Sequence, residues 1–206
     1  MSGDPNAVPQ VYSTGSDEGY LRFSYDGKIL THSMIGHAQG SSIAKYRMDL
    51  PGLQLMMVNF HWNPGVVLLY DGEGNMLKVG EPIHNGSKML PVNWRGDGQE
   101  FVLLSGDPKY GGMIDGNFDR VVMFPNDGHP DLTQFALDLT GDGRDEIVFW
   151  DEKSVWVYTQ DRPFHGEKIY APTRNPLYNM SNYSSIVSMP GWKNAPRPVA
   201  AAAAKK

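Results

Sequence analysis

Apolar residues occur in many short runs along this chain, and no run shows a sustained helical period. Four runs are almost continuously apolar: Val66–Tyr70, Phe101–Leu104, Val121–Phe124 and Ile147–Trp150. Such runs are typical of short β-strands covered on both faces, whereas half-exposed strands alternate apolar and polar positions. The pattern therefore predicts an all-β protein whose strands are buried between neighbouring sheets.

A strand end followed by Asp-Gly recurs at nearly constant spacing. The aspartates Asp26, Asp71 and Asp115 are 45 and 44 residues apart, and a looser copy ends at Asp161, 46 residues further on. Recurrence at a fixed period of this size is the signature of a repeat architecture.

A second motif keeps the same period. Segment 93–101 matches segment 138–146, so that Asp97 and Asp142 are separated by 45 residues. Two different motifs that recur at the same spacing indicate a structural repeat, because chance recurrence of Asp-Gly would not give both motifs the same spacing.

One period divides into four short strands, at residues 90–94, 101–105, 112–115 and 120–124. Four strands in a period of about 45 residues is the size of one β-propeller blade. We therefore predict about four four-stranded β-propeller blades, as a small closed ring or as part of a larger one. A β-sandwich is the alternative.

The repeats set the predicted domain organisation. The blade-repeat domain is predicted at residues 10–192. Residues 193–206, with two prolines and an alanine run, are predicted to be a flexible tail.

The segment Asp138–Glu146 predicts a calcium loop. Calcium binds about six to eight oxygens, and this loop offers them at alternate positions around a glycine bend. It is followed by a strand, so it looks like the calcium loop of integrin-type propellers rather than an EF-hand. The alternative is a turn whose aspartates accept backbone hydrogen bonds. The candidate ligands are Asp138, Thr140, Asp142, the backbone carbonyl of Arg144, and Glu146.

The earlier copy of this loop departs from the calcium pattern. Its third position is Arg95 and its ninth is Phe101. We expect the Arg95 guanidinium to take the place of an ion and to pair with Asp97 and Glu100, because arginine presents a bidentate fork to carboxylates. No metal is predicted at this copy.

Composition removes several classes of function. The net charge of −5, with no basic cluster before the last two residues, argues against a nucleic-acid partner. No apolar run reaches the roughly 18 residues expected of a membrane-spanning helix, so no membrane partner is predicted. The chain has no cysteine, and its first residues lack the features of a signal peptide.

Several segments together resemble the C-terminal half of family 11 rhamnogalacturonan lyases and their close relatives. They include Gly36–Gly40, Pro91–Gly98, Asp138–Glu146, Arg-Asn-Pro-Leu-Tyr at 174–178 and Pro-Gly-Trp at 190–192, and the likeness spans about residues 20 to 192. The resemblance implies a secreted, eight-bladed propeller with structural calcium that cleaves pectin polysaccharide by β-elimination. Because members of that family are much longer, it also implies that this chain is an incomplete segment of the ring. The missing blades would come from upstream sequence or from another chain.

The resemblance also implies a set of site residues. β-Elimination at galacturonate needs a cation beside the carboxylate and a base that removes the C5 proton. The catalytic candidates are His37, His84, Arg174 and Tyr178, and the substrate-binding candidates are His61, Asn85 and Lys88. The structural alternatives are a hydrogen-bonding histidine, an arginine that locks a loop and a packed tyrosine.

Two functions are therefore expected. One is a rhamnogalacturonan lyase, or a fragment of one, acting on a polysaccharide. The other is a non-catalytic, calcium-stabilised propeller module that binds glycan or protein.

Overall fold

The computed structural model describes residues 1–59, 66–82, 89–164, 168–175, 183 and 185–194. Within these ranges the chain forms sixteen β-strands and no helix, which confirms the all-β prediction. The strands form four sheets in chain order, and within each sheet consecutive strands are antiparallel neighbours.

The four sheets follow the sequence. The first sheet contains β1 (Gln10–Thr14), β2 (Tyr20–Ser24) and β3 (Ile29–Ser33). The second contains β4 (Ala38–Ala44), β5 (Gln54–Asn59), β6 (Val66–Tyr70) and β7 (Met76–Gly80). The third contains β8 (Leu90–Val92), β9 (Phe101–Ser105), β10 (Gly112–Ile114) and β11 (Arg120–Val122). The fourth contains β12 (Gln134–Leu137), β13 (Glu146–Trp150) and β14 (Val155–Tyr158). Two late strands, β15 (Thr173–Arg174) and β16 (Ser185–Met189), join the second sheet.

The third sheet contains the four strands predicted for one period, at nearly the predicted bounds. The second sheet has the same four-stranded meander, whereas the first and fourth have three strands each among the described residues. The prediction of four strands in every repeat is therefore correct only for the two middle sheets.

Three hydrophobic cores separate the four sheets. The first core lies between the first and second sheets, the second core between the second and third, and the third core between the third and fourth. Strand β5 shows how they form: Leu55 and Met57 enter the first core, while Met56 and Val58 enter the second. Successive side chains of a strand point to opposite faces, so a continuous apolar run serves two cores at once.

The run Val121–Phe124 does not follow this rule. The side chain of Phe124 is buried in the third core, but Val121 is 42% exposed and Met123 67% exposed. The prediction that this run is covered on both faces is wrong, because only the face with Val122 and Phe124 packs in a core. It is also wrong for Ile147–Trp150, where Trp150 is 38% exposed.

Strand β16 returns to the middle of the molecule. It pairs in parallel with β4, from Ser185 opposite Ser41 to Val187 opposite Ile43. Its Ile186 side chain enters the third core, while Val187 packs against the first. The C-terminal part of the chain therefore ties distant sheets together.

The series of sheets is open in the described part of the chain. No strand pairing joins the fourth sheet to the first, and no core contains residues of both. Nor do the described residues contain a helix long and apolar enough to cross a membrane.

Candidate functional site

The loop between β12 and β13 folds back on its first carboxylate. Asp138 accepts hydrogen bonds from the backbone N–H groups of Gly141 at 2.6 Å and Gly143 at 3.0 Å. Both glycines have positive φ, 75° and 100°, a conformation that residues with a Cβ rarely adopt. The glycines make the predicted bend, and Asp138 closes it.

Glu146 closes the other end of the loop. It is the first residue of β13 and is 1% exposed. Its carboxylate accepts the backbone N–H groups of Leu139 at 2.7 Å and Thr140 at 3.2 Å, and the hydroxyls of Thr140 and Thr159 at 3.2 and 3.3 Å. These donors supply the hydrogen bonds that a buried carboxylate needs.

Asp142 is paired with an arginine of the same loop. The Arg144 Nε donates to Asp142 Oδ2 at 2.9 Å, and the Arg144 backbone N–H donates to Asp142 Oδ1 at 2.8 Å. Burial disfavours the ionised form of Asp142, but the hydrogen bonds and charge of Arg144 outweigh it and lower the pKa of Asp142 below its ordinary 3.8. The guanidinium of Arg144 also donates to the carbonyl of Arg162 at 2.8 Å, which fixes the pair against the following segment.

The three carboxylates among the predicted calcium ligands thus already accept hydrogen bonds from within the chain. No group of three or more carboxylate or imidazole side chains in the described part of the chain is placed to hold a metal ion. The oxygens are of the type that calcium binds. As they lie, however, they do not fit a bound ion, because Asp142 would first have to leave Arg144. The loop has the hydrogen bonds expected of the alternative, a turn whose aspartates accept backbone N–H groups. Calcium binding stays a prediction.

A cavity of about 350 Å³ opens beside this loop. Its lining residues are Asp142, Arg144, Pro163, Phe164, Ile169, Lys193 and Asn194. The Lys193 ammonium donates to the carbonyl of Gly141 at 2.6 Å, so it bridges the loop and the rim of the cavity. An ammonium has three donors, and this bond uses one of them. The cavity therefore combines an aromatic ring, a carboxylate and an exposed cation.

Arg174 lies in a buried ionic network rather than in an open cleft. Its guanidinium donates to Asp145 at 2.7 and 3.0 Å and to Glu100 at 2.8 Å. Glu100 is fully buried and also accepts the hydroxyl of Ser188 at 2.7 Å. Burial raises the pKa of Glu100, and the charge of Arg174 opposes that rise. These contacts match the alternative role considered for Arg174, in which its side chain holds loops in place.

The two carboxylates of this network occupy the same position in two repeats. Glu100 is the eighth residue of segment 93–100, and Asp145 is the eighth residue of segment 138–145. Arg174 therefore joins the equivalent loops of the third and fourth sheets. The sequence showed an acid at both eighth positions, but their common partner lies on β15, far away in the chain.

Arg95 has only part of its predicted pairing. It pairs with Asp97, as expected. The predicted pairing with Glu100 is wrong, because Glu100 is buried and bound by Arg174 while the Arg95 side chain is 52% exposed.

His37 has hydrogen-bond partners on both ring nitrogens. Its Nδ1 lies 3.0 Å from the Ser16 hydroxyl and 2.9 Å from an Asp17 carboxylate oxygen, and its Nε2 lies 3.0 Å from the Gln39 side-chain nitrogen. Ser16 and Asp17 meet the same nitrogen. A nucleophile–base–carboxylate relay needs them on opposite nitrogens, so this group is not one.

The structure does not bring His37 and Arg174 together. His37 directly precedes β4, whereas Arg174 pairs with Ser188 near the far end of β16, which runs parallel to β4. The strand length between these positions is roughly 20 Å at 3.3 Å per residue. The other predicted site residues, His61, His84, Asn85, Lys88 and Tyr178, lie outside the described residues.

A second histidine cluster was not anticipated from the sequence. The imidazole of His129 is 2% exposed and contacts Asp127 at 2.7 Å, the Tyr158 hydroxyl at 2.9 Å and the Gly106 carbonyl at 2.6 Å. It packs with the rings of Phe124 and Phe149. The spacing of Asp127 and His129 was visible in the sequence, but the pairing with β14 depends on the fold.

No family model, no curated protein and no solved structure matches this chain.

Proposed function

We propose that this chain is a non-catalytic β-propeller module that binds an acidic polysaccharide of the rhamnogalacturonan type in the cavity beside loop 138–146. The observation that carries the proposal is the lining of this cavity. Lys193 offers ammonium donors to a uronate carboxylate, Phe164 offers an apolar ring to a sugar face, and Asp142 accepts sugar hydroxyls. Ligand sites commonly have such a lining, with a few polar groups around an aromatic surface.

Stacked sheets support the propeller part of the proposal. Four sheets follow one another in the chain, each separated from the next by one core. The first strands β1, β4, β8 and β12 contact one another in succession, as the innermost strands of successive blades do.

The ionic network supports the absence of catalysis. Arg174 was the candidate for neutralising a uronate carboxylate, but two carboxylates of the chain itself already bind it. A substrate would have to displace Glu100 or Asp145 and leave a buried carboxylate without its cation, which costs several kcal/mol.

Titration calorimetry with rhamnogalacturonan oligosaccharides tests the binding site. Lys193→Ala and Phe164→Ala should each weaken binding by about tenfold, or 1.4 kcal/mol. Lys153→Ala is the matched control, because this exposed lysine lies in the turn between β13 and β14, away from the cavity lining, and should leave the affinity unchanged. Equal affinity for a neutral glycan, or no effect of either cavity variant, would contradict the proposal.

Rhamnogalacturonan lyase activity is the second candidate, and the pairing of His37 with Asp17 favours it. A carboxylate beside an imidazole can hold the ring in the orientation that a base needs. Ultraviolet absorbance of the unsaturated uronate product tests this candidate directly. Product formation that His37→Ala abolishes, while circular dichroism shows an intact fold, would establish lyase activity in place of simple binding.

A further inference from the structure

The last sheet of the series exposes one apolar face. Val148 lies opposite Val157, and Trp150 opposite Val155, so all four side chains share a face. Val155 is 67%, Val157 51% and Trp150 38% exposed. The other face of the same sheet carries Ile147 and Phe149, which are buried in the third core.

The first sheet has a matching face. Val11 lies opposite Phe23, which lies opposite Ile29, and Val11 and Ile29 are both 56% exposed. The opposite face of this sheet, with Tyr20, is buried in the first core. The strands of neither end face present a lysine, an arginine or an exposed carboxylate, and the polar residues on the first sheet's end face are Ser13 and His32.

These end faces have the character of faces that the middle sheets bury. In β9, Val102 and Leu104 face the second core while Phe101 and Leu103 face the third, so the strand is covered on both sides. Strand β13 has the same continuous apolar pattern but is covered on one side only. Each end face therefore resembles one side of the three sheet-on-sheet interfaces that form the cores within the chain.

We propose that a second copy of this chain covers both faces, with the fourth sheet of each copy packed on the first sheet of the other. Such a head-to-tail contact between two copies closes into a two-fold ring, in which the new contacts continue the three sheet-on-sheet interfaces within each chain. The ring would contain eight sheets, at the upper end of the range of about four to eight for closed propellers.

The position of β15 and β16 favours the larger ring. These strands extend the second sheet beyond its first strand, β4, and β16 also contacts β1 and β8. β15 and β16 therefore lie on the side of the molecule where the first strands of the four sheets, β1, β4, β8 and β12, contact one another. A ring of four sheets would have to enclose them at its centre, whereas a ring of eight has a wider central space. This inference concerns contacts between two protein chains, so its test does not depend on whether the cavity binds a sugar.

The mass in solution tests the proposal, measured by light scattering on the purified chain. We expect twice the chain mass of 22.9 kDa. Val157→Asp and Ile29→Asp, on the two end faces, should each reduce the mass to that of one chain. Val121→Asp is the matched control, since Val121 is 42% exposed on a middle sheet, and it should leave the dimer intact. Circular dichroism confirms that each variant is folded.

Mixing the two end-face variants tests the direction of the contact. The Val157→Asp chain retains a normal first sheet and the Ile29→Asp chain retains a normal fourth sheet, so the mixture should form a one-to-one dimer through one intact interface. A wild-type monomer, dissociation by only one of the two variants, or the absence of a mixed dimer would overturn the proposal.

Discussion

At the scale of residues, the Arg174 network places two buried carboxylates, Glu100 and Asp145, around one guanidinium. One guanidinium serves two carboxylates, and the serine hydroxyl on β16 completes the shell of Glu100. Taking these charges out of water is costly, and the network offsets that cost only while all its members are present. Its structural effect is to hold two repeat loops and β15 together.

Removing the Arg174 side chain should therefore destabilise the fold strongly. Arg174→Ala leaves Glu100 and Asp145 buried without their cation, for an expected loss of roughly 3–5 kcal/mol in the free energy of unfolding. Urea denaturation measures this loss.

The matched control is Arg95→Ala, an arginine of the loop that contains Glu100, whose side chain is 52% exposed. Exposed pairs contribute about 0–1 kcal/mol, so this variant should be nearly neutral. Equal effects of the two substitutions would show that the Arg174 network does not stabilise the protein as described.

Asp142 gives a pH dependence whose sign follows from its environment. Its pKa is lowered in the folded state, so its pairing with Arg144 contributes stability above the ordinary value of 3.8 and loses that contribution as the pH falls through the folded pKa. Asp142→Asn should remove this part of the acid sensitivity. Unfolding free energies of both proteins over an acid pH series measure it, and parallel curves would contradict the assignment.

The roles of single residues were the least predictable from sequence. Arg174 was a catalytic candidate with loop locking as the alternative, and the carboxylates it binds lie 29 and 74 residues away in the chain. His37 was likewise singled out, yet its neighbours on the loop before β2 come close only after folding. Sequence spacing cannot reveal contacts that depend on the packing of sheets.

At the scale of elements, the loop from Asp138 to Glu146 combines a turn with a set of oxygen ligands. Its carboxylates are satisfied by amides, hydroxyls and Arg144. The strand bounds of the third sheet were predicted almost residue by residue, because glycines and aspartates mark each turn. The parallel pairing of β16 with β4 was not, because no local pattern specifies a partner more than a hundred residues away.

A chelator experiment separates the two interpretations of this loop. If calcium binds the native loop, added calcium should raise the melting temperature and a chelator should lower it, since an ion bound only by the folded state stabilises by mass action. Asp138→Ala should remove the calcium response. Differential scanning calorimetry measures both shifts, and a melting temperature independent of calcium and chelator would leave only the hydrogen-bonded turn.

At the scale of the whole molecule, the described chain is a series of sheets with one core between each pair of neighbours. The 45-residue period predicted the number and order of these sheets, because each period carries its own turns and its own apolar strands. It left a closed ring and an open segment of a larger ring as alternatives, and it did not predict that the last strands would return to the second sheet. That return depends on contacts between segments that are far apart in sequence.

The proposed function joins this architecture to one site, the cavity of Asp142, Phe164 and Lys193. The proposal requires an acidic glycan to bind there and to remain uncleaved. Binding and cleavage can be followed together in one sample, because the unsaturated uronate formed by β-elimination has its own proton signals.

The most direct measurement is a nuclear magnetic resonance titration of the isotope-labelled chain with rhamnogalacturonan oligosaccharide, followed over time. We predict changes in the amide signals of residues 141–144, of Phe164 and of Lys193, with no signals from an unsaturated product. Changes centred on His37, or the growth of unsaturated uronate signals, would contradict the proposed function.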